Sequence, residues 1–270
     1  MAQSTAPDGV ATAGRTSSGW TTPQRRAVAS CCLAILVDGL VTLLLGVTIP
    51  AVAREWDADR GAFMPVVALS ILGMSLGTVA FGAAGDRFGQ RRLLVFSSFL
   101  FGVATIAGAT FSTDVLSFTV FRTIAAVGLG GAIPNATALV SEHAPPERRS
   151  SAIAMTMLCI PVGGVLGGAV AAWIIPAQGW RLLHIIAGGL AVLVAAGLGR
   201  AIPEHGAIAT EQRGGTSSGS SLAVLVGSPW RRTTLLLWSI LFWNLLAVYG
   251  FLNWVVTLLD ASGVSLAQAS

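Results

Sequence analysis

The chain has 270 residues, 54% of them hydrophobic and 10% charged, with a mean hydropathy of +0.75. Soluble globular chains carry about 25% charged residues, so this composition argues against a soluble domain and for a membrane protein. The formal net charge of +4 is scattered over short loops and offers no basic face to nucleic acid.

Residues 1–27 form an N-terminal tail ending in Arg25 and Arg26. The first apolar run is Val28–Ala53. The apolar core of a cleavable signal is about 7–15 residues long. This run is longer and is interrupted by Asp38, so it reads as an uncleaved helix. Crossing a bilayer takes roughly 20 apolar residues. Six further stretches meet or approach that length: Ala62–Gly85, Leu93–Ser112, Val115–Ser141, Ser150–Ala177, Leu182–Gly199 and Thr233–Leu259. The pattern predicts an all-α membrane protein. The sixth run is short, and it starts earlier if Arg181 snorkels to the interface. Only Asp38 and Arg122 place a charge well inside a span. Cys31, Cys32 and Cys159 fall in apolar runs and read as small packing residues, with no disulfide framework and no metal site.

All sixteen basic residues are arginine. With the N-terminus inside, the inner segments hold twelve of them, the outer loops hold Arg54, Arg60 and Arg181, and Arg122 lies within the membrane. Positive charge collects on the cytoplasmic side. The bias therefore predicts a multi-pass protein of the cell's inner or plasma membrane with a cytoplasmic N-terminus. Most loops are very short, so consecutive helices are expected to be antiparallel neighbours. The exception, residues 200–232, contains the Gly/Ser-rich stretch EQRGGTSSGSS and reads as a flexible cytoplasmic linker. The predicted organisation is a six-helix bundle over 28–199, that linker, a seventh helix over 233–259 and an outer tail over 260–270.

The polar cluster GAAGDRFGQRR, Gly82 to Arg92, separates the second and third spans. A positive-inside anchor accounts for Arg91 and Arg92 but not for Gly82, Asp86 and Gly89. Glycines let helix ends come close, and a carboxylate beside them accepts hydrogen bonds or sits against a helix N-terminus. Such a joint suits two bundles that hold together and then separate. Gly82, Asp86, Arg87, Gly89, Arg91 and Arg92 resemble the loop signature of the major facilitator superfamily, with departures at Ala84, Gly85 and Gln90. Further stretches are similar to its aromatic acid:proton symporter branch: VDGLVTLLLGVTIPAVA in the first span, FRTIAAVGLGGAIPNATALVSEHAPPERRS across the fourth, GGVLGGAVAAWIIPAQGWR in the fifth and IPEH after the sixth. The stretch NLLAVYGFLNWVVTLL resembles that branch's seventh helix.

The resemblance implies a proton-coupled secondary transporter of benzoate-like and hydroxybenzoate-like acids, without a cofactor. Its fold has twelve spans in two six-helix halves, with substrate between them. Seven spans make this chain truncated relative to that plan: the N-terminal six-helix bundle plus one further helix. A missing C-terminal half or an oligomer partner would supply the second wall. The branch usually carries two acids in the first span, in a D-G-x-D pattern. Here Asp38 and Gly39 remain, and Val41 stands at the second acid.

Asp38 lies about ten residues into its span, near mid-membrane at roughly 1.5 Å per residue. An ionised carboxylate facing lipid there costs several kcal/mol, so Asp38 is expected to face the interior or a cavity and to carry a proton; an interhelical structural hydrogen bond is the alternative. Arg122 sits near the outer third of the fourth span, with a guanidinium suited to bidentate pairing with a carboxylate; snorkelling outward is its alternative. By resemblance it matches the arginine implicated in proton coupling across the superfamily. Gly128, Gly130, Gly131 and Pro134 mark a thin or kinked helix face, where Asn135 is a candidate polar contact for an aromatic ring. Tight helix packing is the competing reading, and it is preferred for Pro161, Gly163, Gly164, Gly167 and Gly168. Glu142, Arg148 and Arg149 are expected to form a cytoplasmic charged joint beside the Gly82–Arg92 cluster. His184 and His205 make no metal constellation, and Asn244, Tyr249, Asn253 and Trp254 are pathway or packing candidates in the seventh span.

No phosphate-binding loop of the G-x-x-x-x-G-K-[ST] kind exists in a chain without lysine, and no catalytic constellation appears, so the reading is not an enzyme. A retinal pigment is excluded by the same absence of lysine. Two rivals stand: a facilitator for other metabolites or drugs, and a non-transporting membrane fragment or partner subunit.

Overall fold

The computed structural model describes residues 19–202, 231–240 and 243–244; these are helical apart from short connections, and no strand occurs among them. The chain divides into two compact units, residues 1–204 and 205–270. In the second, residues 231–240 are helical, as are 243–244. Most of the linker expected over 200–232, the remainder of the seventh span and the tail 260–270 lie outside the described residues. Tyr249, Asn253, Trp254 and His205 lie there too.

The first unit opens with α1, Thr22–Glu55, where a capping box between Thr21 and Gln24 supplies partners for otherwise orphaned donors. Next come α2, Met64–Phe88, and α3, Gln90–Phe111. Helix α4, Val115–His143, starts at Asp114, whose carboxylate accepts from the Ser117 backbone N–H at 2.7 Å. The last helical stretch, Arg149–Ala201, is broken at Gly179, with φ 83° and ψ 167°. Its two arms are α5 (149–178) and α6 (180–201). The backbone at Gly179 lies in a region essentially restricted to glycine, which is why the chain reverses there. Gly89, at φ 99°, makes the corresponding joint between α2 and α3. Five helical stretches are long and apolar enough to cross a membrane, and the fifth contains both α5 and α6. The six predicted spans before the linker are thus six helices.

Large apolar side chains cover the outside of this unit, among them Ile71, Leu76 and Val79 on α2 and Val165 and Trp173 on α5. A water-soluble bundle would not expose them; a helix in hydrocarbon can, because its backbone polar groups are satisfied internally.

The helices do not all pack on their neighbours in the chain. Helix α1 packs mainly on α5, α2 on α4, and α3 on α4 and α6, while α1 and α2 are not a significant pair. The expectation that consecutive helices are neighbours is corrected for that pair. Glycines set the true partners. A Cβ on Gly163 or Gly167 would strike the Leu36 and Leu40 carbonyls of α1. One on Gly77 or Gly130 would strike the Val127 and Met74 carbonyls across the α2–α4 seam. Gly102 and Gly188 face each other, each built Cβ 2.7 Å from the other's carbonyl oxygen. Without a hydrophobic drive between helices in lipid, close backbone approach through small residues selects the pairing. Pro134 strengthens the α2–α4 seam: it removes the N–H that would bond the Gly130 carbonyl, and the Thr78 hydroxyl of α2 reaches that oxygen at 2.9 Å.

Candidate functional site

One end of the bundle carries Glu55, Ser112, Asp114 and Gly179. Here the indole Nε1 of Trp180 donates to Glu55 Oε2 at 2.6 Å. Arg181 pairs with Glu55, donates to the Ser112 carbonyl at 3.1 Å and lies over the Trp180 ring at 4.7 Å. The first residues of α6 are thereby tied to the last of α1 and to the end of α3. Arg181 is held in this knot with its side chain 37% exposed, and α6 begins just ahead of it at residue 180. Trp56, Phe118 and Trp180 meet edge to face at 5.6–6.0 Å, and Phe63 stacks on Trp56. Burial alone would raise the Glu55 carboxyl, but the hydrogen bonds from Arg181 and Trp180 and the Arg181 charge outweigh it and hold it below the usual carboxylate range. Hydrogen bonds from the Ser117 side chain and backbone do the same for Asp114.

The knot continues inward. One turn after Trp180, His184 is 3% exposed, and its Nδ1 lies 3.0 Å from the Trp180 carbonyl oxygen. It lines a small cavity together with Thr105 and Gly108 of α3 and with Phe118, Arg122 and Ala125 of α4. Arg122 is 7% exposed. Its Nε has no hydrogen-bond partner, and no carboxylate pairs with its guanidinium among the described residues. Buried ions are normally paired, so a guanidinium left this way is poised for an anion or a polar bridge.

Asp38 is 4% exposed on α1, next to the Gly39–Ile160 contact with α5, and its Oδ2 is buried without a partner. Both intramembrane charges therefore turn away from the outer surface of the bundle. No hydrogen bond or ion pair joins them to each other. Their depths also differ. Counting about 1.5 Å per residue from Glu55 and Asp114, Asp38 lies about 25 Å down its helix and Arg122 about 12 Å down its own.

At the opposite end, Gly82 sits against Pro134, and the space beside Gly85 is filled by the Asn135 amide. Asn135 is 1% exposed; its Nδ2 donates to the Phe81 carbonyl at 3.1 Å and to the Gly131 carbonyl at 2.7 Å. The amide group thus locks α4 to the helix that carries the motif. Gly128, Gly130 and Gly131 press on α3 or α2. Arg91 donates to the Gly199 carbonyl of α6. Asp86, Arg87, Arg92, Glu142, Arg148 and Arg149 are solvent-exposed, so the Asp86 carboxylate is not buried within this unit. Among the described residues no ion pair joins Glu142 to Arg148 or Arg149, and no cluster of metal-ligating side chains occurs.

A six-helix apolar bundle with two buried, unmatched charges and a glycine-hinged cationic loop defines a multi-pass membrane protein of the facilitator kind. The chain matches the Major Facilitator Superfamily model over residues 31–270 and belongs to that family. It is 32% identical to the 4-hydroxybenzoate transporter PcaK of Pseudomonas putida over 277 aligned residues, covering 92% of this chain and 61% of that one. The 3-(3-hydroxy-phenyl)propionate transporter of Escherichia coli K12 is 30% identical, with 95% and 62% covered. The chain thus spans about three fifths of the length of these relatives. Among solved structures, the partially occluded inward-open form of the xylose transporter XylE from E. coli superposes with a TM-score of 0.62 at 18% identity, covering 88% of this chain and 62% of that one. That likeness establishes the fold alone.

Proposed function

We propose that this chain is the N-terminal part of a proton-coupled transporter of aromatic or related organic acids. The carrying observation is Arg122: a permanent cation, held inside the bundle, with no carboxylate partner among the described residues. A substrate carboxylate is the natural complement to such a fork. Relatives named for 4-hydroxybenzoate, gallate and hydroxyphenylpropionate transport support the same substrate class. Asp38, buried and unpartnered at another depth, is the group we assign to carry the proton. Asn135, at the other end of α4, is the clasp between α4 and the motif helix. The Gly82–Arg92 loop, with Glu142, Arg148 and Arg149, is the cytoplasmic joint against a second six-helix half or an oligomer partner. The location is the inner or plasma membrane, with the N-terminus in the cytoplasm.

The test is uptake of labelled 4-hydroxybenzoate by vesicles containing the chain, alone and together with the polypeptide encoded downstream of Ser270. Uptake should require an inward proton gradient and should be competed by benzoate analogues but not by neutral sugars. Competition by unrelated metabolites or drugs would favour a facilitator of another substrate class. No uptake in either arm, with no further spans encoded downstream, would favour a non-transporting membrane protein.

A further inference from the structure

The cavity between α3, α4 and α6 is a second matter, because it stands on geometry that does not require transport. The Nδ1 of His184 faces the Trp180 carbonyl oxygen at 3.0 Å. A carbonyl only accepts, so in the neutral ring Nδ1 carries the proton and Nε2 is left as an acceptor. That Nε2 is buried and without a partner. The Nε of Arg122 is also buried and without a partner, and it is a donor. Both side chains line the same small cavity and both are more than nine-tenths buried. An orphaned donor and an orphaned acceptor on two side chains that line one cavity are chemically complementary. The cavity has room for about one water, the smallest molecule able to serve both, and a buried water needs 2–4 polar partners. Thr105 supplies the third: its hydroxyl donates to the Phe101 carbonyl at 2.8 Å, which leaves its oxygen free to accept.

We propose that this cavity is a binding site for a single ordered water, which accepts from Arg122 Nε–H and donates to His184 Nε2 and Thr105 Oγ1. His184 is then a positioning residue. It fixes the inner edge of the guanidinium through the water and leaves the two terminal nitrogens for another ligand. The knot of Glu55, Trp180 and Arg181 sets the depth of His184, so the site is built from one end of the bundle inward.

The experiment uses the full chain in lipid nanodiscs, labelled with 15N-histidine. The chain has three histidines, and loss of one signal in His184→Gln assigns the ring. In the unsubstituted chain, His184 should show the Nδ1–H tautomer, an Nε2 that accepts a hydrogen bond, and a cross-peak from the ring to water. Arg122→Met keeps an unbranched stem but removes the donor. It should abolish the water cross-peak while the Nδ1–H signal persists. A protonated Nε2, an absent water cross-peak, or a cross-peak of undiminished intensity in Arg122→Met would each overturn the proposal. The tautomer and the water contact are read on the unsubstituted chain, so the test holds even where the variant fails to fold.

Discussion

Arg122 brings a permanent charge into the bundle core and meets no carboxylate among the described residues. Its role is therefore separable from charge alone. Arg122→Lys keeps the cation and loses the planar fork. A lost charge-assisted hydrogen bond is worth about 1.5–3 kcal/mol, so substrate affinity should fall by about tenfold or more. An unchanged Kd for 4-hydroxybenzoate would refute carboxylate binding at this residue. Asp38→Asn, made at the equivalent aspartate of a full-length relative, should abolish proton-driven uptake while the protein still reaches the membrane; undiminished uptake would remove Asp38 from the coupling role. Glu55 titrates outside the membrane. Its carboxyl is held below the usual range in the folded chain, so its contribution to stability is complete above the ordinary glutamate value. That contribution is lost as pH falls through the lower folded value. The melting temperature should drop over that acidic window, and Glu55→Gln should flatten the drop. The two intramembrane charges were legible from composition, because a lone ion in an apolar run is conspicuous. The partner side of the site was not: His184 reads as one histidine near a helix end until folding brings it beside Arg122.

At the scale of elements, glycine chemistry decides which helices meet and where they end. Gly179 takes a backbone conformation that a Cβ strains, although the space around it is open. Gly179→Ala should therefore cost about 1–3 kcal/mol through strain alone. Gly189, equally open but inside a helix, provides the opposite case: Gly189→Ala should stabilise by about 0.5–1 kcal/mol. Melting curves of the two variants in one detergent would compare them directly, and a loss at both positions would contradict the strain argument. In the α2–α4 seam, Gly77→Leu should leave the helices formed but their packing broken, because a Cβ there already strikes the Val127 carbonyl. Circular dichroism should hold near its original value while the cooperative melt is lost.

For the molecule as a whole, orientation is the prediction that reporter fusions test: the loop around Arg87 should lie in the cytoplasm and the one around Arg181 outside. The sequence alone determined the apolar spans, the two intramembrane charges and the signature loop, because each is written in consecutive residues that a bilayer sorts by hydropathy. It also carried the family, through motifs that are contiguous in the chain. Only the tertiary structure decided that α1 sits on α5 rather than α2, that Arg181 clamps Glu55 and Ser112, and that Arg122 and His184 share one cavity. Those facts depend on residues between 62 and 127 positions apart. Such distant pairings are chosen by backbone shape: glycines let particular helices approach, and the few polar side chains caught between them must then find their partners inside the bundle.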